Sequence, residues 1–136
     1  MKNRIVLLGL MLLSALALHG QIVRIEPAEA SGEDEIKVIY DATQGTAGLV
    51  GESKVYMHSG VVTDSPDGLA WTNVIGNWGE DDGLGEMTPV SGATDLWEIT
   101  LTPSARQYYG VAEGTNMFRL SMVFRNADGT KEGKGS

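Results

Sequence analysis

Apolar residues in this chain alternate with polar ones in short runs, and Gly, Pro, Asp or Asn ends each run before three helical turns can build. A period of two belongs to a strand with one face buried, so the chain is committed to β structure. Residues 22–26 make a first predicted strand, stopped by Pro27. Residues 35–41 put Ile36, Val38 and Tyr40 on one face and Lys37, Ile39 and Asp41 on the other. After the turn glycines Gly45, Gly48 and Gly51, residues 54–59 set Val55 and Met57 against Tyr56 and His58.

Residues 63–92 are dense in Gly, Asp and Asn and read as a long structured loop, a place where function concentrates. Alternation returns over 95–102, with Trp97, Ile99 and Leu101 opposed to Leu96, Glu98 and Thr100. Over 117–126, Phe118, Leu120, Met122 and Phe124 share one face, and Arg119, Ser121 and Arg125 the other. Ala127-Asp128-Gly129-Thr130 then forms a hairpin turn, but residues 131–136 hold no apolar run to pair with the strand before it. Strands at this spacing without helices predict an all-β fold, an immunoglobulin-like (early-set type) antiparallel β-sandwich lacking its last strand.

Lys2 and Arg4 precede an apolar run from residue 5 to 18, too short and too abruptly ended for a stable bilayer-crossing helix. Residues 1–20 are therefore expected to be a signal peptide, cleaved after Gly20, and residues 21–136 a single module that is secreted. With Lys2 and Arg4 gone the formal charge moves from −8 to −10. That balance argues against nucleic acid and anionic membrane surfaces, both of which reward clustered Lys and Arg. Cys is absent from the sequence, so stability has to come from packing rather than disulfides.

No arrangement of residues suggests catalysis. His58 is the only His beyond residue 20, and no Ser stands in a Gly-x-Ser-x-Gly elbow. The acids of Glu33-Asp34-Glu35 and Glu80-Asp81-Asp82 read as solvated charge, because a glycosidase holds its two carboxylates across a cleft. Asn77, Asp81, Asp82 and Glu86 offer hard oxygens on a Gly-rich backbone, but their spacing departs from the helix-loop-helix calcium pattern. No metal or cofactor is expected.

The aromatic residues say more. Trp97 falls on the apolar face of its strand and is expected in the core. Tyr56 and His58 share the opposite face of theirs, and Trp71, Asn77 and Trp78 lie in the long loop. Flat rings beside amides are what a sugar site uses, the rings stacking on pyranose faces and the amides bonding hydroxyls. Plugging the end of the sandwich is the competing role for both loop tryptophans. Tyr108-Tyr109 would either extend the sugar surface or sit in an edge turn.

Val55-Tyr56-Met57-His58, Trp71, Gly76-Asn77-Trp78-Gly79, Met87-Thr88, Trp97-Glu98-Ile99, Tyr108-Tyr109-Gly110-Val111 and the hairpin from Val123 to Gly129 together carry a resemblance. In that order they resemble the N-terminal accessory module of secreted Bacteroidetes-type glycoside hydrolases of the α-amylase family. The layout is also similar to that of starch-binding modules. The resemblance implies a non-catalytic module that binds starch-like α-glucan or a related polysaccharide through Tyr56, His58, Trp71, Asn77 and Trp78, with an attached catalytic domain downstream. It also implies an apolar closing strand beyond the hairpin, so the 136 residues are expected to be a fragment. The other function consistent with the sequence is a structural spacer that packs on a neighbouring catalytic domain without binding a ligand.

Overall fold

The computed structural model of the chain describes residues 21–135, so the expected signal peptide at residues 1–20 lies outside the described residues. Eight strands run in the order β1 (Val23–Glu26), β2 (Ile36–Asp41), β3 (Val55–Val62), β4 (Thr72–Ile75), β5 (Thr88–Pro89), β6 (Leu96–Leu101), β7 (Arg119–Asn126) and β8 (Glu132–Gly133). They form two antiparallel sheets of four, ordered β1-β2-β6-β5 and β4-β3-β7-β8. The all-β sandwich expected from the alternation is the fold. Among the described residues one short helix, α1 (Ala105–Tyr109), interrupts it. Ser104 caps the helix by accepting the Gln107 N–H, and Gly110 ends it in the left-handed conformation.

The inward faces are those that the alternation defines. Ile36, Val38 and Tyr40 of β2 meet Met57 and Val61 of β3, Trp97 and Leu101 of β6 and Phe124 of β7 in one buried cluster. Tyr40 and Phe124 stack face to face across the sheets with ring centres 3.9 Å apart. Tyr109 reaches in from α1 and shares a 2.7 Å hydrogen bond with Ser59, so the Tyr108-Tyr109 pair serves the core rather than a ligand surface.

Two expectations change. The long loop contains β4 and the two-residue β5. Asn73 makes β4 possible by tolerating a positive φ while its amide donates to the carbonyls of Tyr109 and Gly110. The strand before the hairpin is also not left alone, because β8 pairs Phe124 with Gly133 and Arg125 with Glu132. Gly133 points inward, where a Cβ would collide with the Tyr40 hydroxyl, so a residue with no side chain does the pairing and no apolar run announces it. Along Arg119–Val123 the outer edge of β7 has no strand partner among the described residues.

Candidate functional site

The outward-facing residues of β3 are Tyr56, His58, Gly60 and Val62, paired with Arg125, Val123, Ser121 and Arg119 of β7. A half-buried sheet would leave this row in water. Here the chain from Asn77 to Glu86 folds back over one end of it, and Tyr56 is fully buried beneath that loop. Its hydroxyl donates to Asp81, lies 3.2 Å from Glu86, and accepts the Gly83 N–H at 3.2 Å. Tyr56 therefore cannot present its ring to a sugar, and that assignment is corrected. The phenol is fastened on both sides and works as a peg for the loop.

Arg125 fixes the same loop from beneath. It is a fully buried arginine, its guanidinium carbon 4.3 Å from the centre of the Tyr56 ring. One terminal nitrogen donates to the Asn77 and Glu80 carbonyls at 2.9 Å, the other to the Asn126 and Ala127 carbonyls at 3.1 and 3.0 Å. A buried cation is tolerated because a planar fork of donors meets carbonyls and an aromatic face. The sequence reading missed this residue. Its signal was an arginine on the face of β7 that lies opposite Tyr56.

Two of the loop acids, both exposed, bond to protein partners. Lys54 donates to Asp81 at 2.9 Å, and that bond, with the one from Tyr56, holds the Asp81 carboxyl below the usual range. Asp82 accepts from the Asn77 amide at 2.8 Å and from the Leu84 N–H, and is lowered for those reasons. Among the described residues, no three His, Asp or Glu side chains group closely enough to hold a metal.

Beyond the loop the outer face opens. His58 lies between Trp71 and Trp78, its ring centre 6.5 Å from the first at a 36° tilt and 5.4 Å from the second, edge-on at 83°. Trp71 is 39% and Trp78 44% exposed, so neither plugs the sandwich. The Trp78 indole N–H donates to the Gly129 carbonyl at the hairpin tip, which fixes the ring plane. Gly60 lies buried beneath Trp71 and Val74, and a Cβ there would stand 3.2 Å from the Trp71 Cβ. Burial, and then the charge of Arg125, lower the His58 pKa below its ordinary value. Its Nδ1 is buried without a partner among the described residues.

Four of the five expected sugar contacts, His58, Trp71, Asn77 and Trp78, thus gather on the outer face of one sheet. Asn77 joins them with its amide nitrogen already bonded to Asp82. Trp97 is buried in the core as expected.

These features define a two-sheet antiparallel β-sandwich carrying a fixed aromatic surface on one outer face. The chain belongs to the family described as Domain of unknown function (DUF8578), whose model matches residues 23–132, from the first residue of β1 into β8. No curated protein matches it.

Proposed function

We propose that this chain is a non-catalytic carbohydrate-binding module, exported by its N-terminal signal and serving a secreted α-amylase-family glycoside hydrolase. It would bind starch-like α-glucan on the surface formed by Trp71, His58 and Trp78. The observation that carries this reading is the pair of exposed tryptophans flanking His58 on a face the core does not use. Affinity is modest, because a few stacked rings leave little surplus over the cost of association. The sandwich is read as the immunoglobulin-like, early-set type. Supporting this, its sheet orders correspond to strands A-B-E-D and C′-C-F-G of that plan.

Leu69, 83% exposed, and Val74, 44% exposed, flank Trp71 and favour the second reading, a spacer that packs this face on a neighbouring domain. Calorimetry or affinity electrophoresis with maltooligosaccharides and soluble starch, set against cellulose and xylan oligomers, separates the two. Binding to the α-glucans that falls at least about tenfold in Trp71→Ala and Trp78→Ala, with unchanged melting, supports the sugar site. A folded wild type that binds no glucan overturns it in favour of the spacer.

A further inference from the structure

A buried polar atom lies beneath the aromatic surface. His58 faces outward from β3, opposite Val123 of β7. Gly76, at a φ of 120°, packs its α-carbon against the imidazole, and a Cβ built there would stand 2.8 Å from Nδ1. Nδ1 is sealed from water in this way and meets no hydrogen-bond partner among the described residues. Nε2 forms no hydrogen bond among those residues either, but it keeps contact with solvent.

The two environments decide where the ring carries its proton. Above the ordinary histidine value of about 6.5 an imidazole holds one proton, on either nitrogen. On Nδ1 the hydrogen would be driven against the Gly76 α-carbon with no acceptor, at the full cost of an orphaned buried donor. On Nε2 it reaches open space beside the two indoles, where water or a ligand accepts it. A doubly protonated ring would bear the Nδ1 penalty as well and would add its charge to that of Arg125, and the lowered His58 pKa has the same sign.

We infer, resting on the carbohydrate-binding function proposed above, that His58 is a specificity-determining residue: its ring is held in the Nε2-protonated tautomer, and that N–H donates to one hydroxyl oxygen of an α-glucan lying across Trp71 and Trp78. Neighbouring donors are already committed to protein. The Trp78 N–H donates to Gly129, the Asn77 amide nitrogen to Asp82, and the Asn73 amide nitrogen to the Tyr109 and Gly110 carbonyls. The indoles supply apolar contact that any pyranose face satisfies. The His58 N–H demands an acceptor at one position, so a sugar lacking that oxygen leaves a donor unpaired and is rejected. Gly76 is the positioning residue, since a side chain there would displace the ring that it now holds.

The test uses the whole chain, labelled with heavy nitrogen, at about pH 8, where a histidine of ordinary or lowered pKa is neutral. The ligands are maltotriose and its monodeoxy derivatives. In NMR, Nε2 of His58 should resonate as a protonated nitrogen and Nδ1 as a bare one, with or without sugar. In calorimetry, one monodeoxy derivative should bind the wild type about fivefold more weakly than maltotriose, the worth of one neutral hydrogen bond. His58→Phe keeps a ring between the indoles and should lose that discrimination, while His58→Gln, which again carries an N–H, should recover part of it. A proton on Nδ1 overturns the proposal with no variant or ligand involved. Maltotriose binding in which every deoxy derivative is equal to the parent, or discrimination that persists in His58→Phe, overturns it and leaves the sugar surface standing. A wild type that binds no α-glucan overturns the sugar surface and the His58 contact together, whichever nitrogen holds the proton.

Discussion

Replacing Arg125 with Met keeps the stem of the side chain and deletes its fork, so the loss can be worked out from the contacts that disappear. Four charge-assisted hydrogen bonds contribute about 1.5 kcal/mol each and the desolvated cation–π contact about 2, a gross stabilisation of about 8 kcal/mol. Burying the cation costs about 5 of this, which Met does not incur. The net loss is about 3 kcal/mol, a fall in melting temperature of about 12 °C for a domain this size. Urea unfolding followed by circular dichroism measures the stability. The NMR signal of the Trp78 indole N–H, now bonded to Gly129, reports whether the platform stays in place. A loss below about 1 kcal/mol with an unmoved indole signal would refute the idea that Arg125 holds the loop.

Trp97→Ala should cost about 3–5 kcal/mol in the same denaturation assay, since it opens a cavity beneath both sheets. Tyr109→Phe should cost about 1–2 kcal/mol, because the buried Ser59 hydroxyl loses its partner. Asp81, bonded to Lys54, Asp82, bonded to Asn77, and Asp128, bonded to Thr130, are all held below their ordinary values. The stability they supply is complete above the unfolded Asp value of about 3.9 and is lost as pH falls through the depressed folded values. The urea midpoint should therefore drop below about pH 4, and Asp81→Asn should remove part of that drop.

The core strands were legible because each buries one face, so Ile36/Val38/Tyr40 and Trp97/Ile99/Leu101 write their orientation into a period of two. The same rule misled at Tyr56. β3 is covered on both faces, inside by the opposite sheet and outside by a loop some 25 residues further on, and no local pattern encodes that contact. Gly60-Val61-Val62, apolar at consecutive positions, was the available hint that both faces of this strand are dry. β4 escaped notice because its burial is slight and its register with β3 shifts between Ser59 and Val61, which leaves no clean alternation to read. The tryptophans of the long loop were readable as residue types. Their convergence on His58 depends on the turn between β4 and Trp78, where Gly76 passes against the His58 ring.

Strand β3 works as a partition. Its odd residues from Met57 to Val61 face the core, while His58 and Gly60 face the aromatic surface, separated by the thickness of one backbone. Selection can therefore act on the two sides almost independently. Among relatives built on this sandwich, drift should concentrate at the outward positions and in the tryptophans beside them, so that recognition diversifies over an interior that hardly changes. An alignment would display that history as a strand conserved at every second residue.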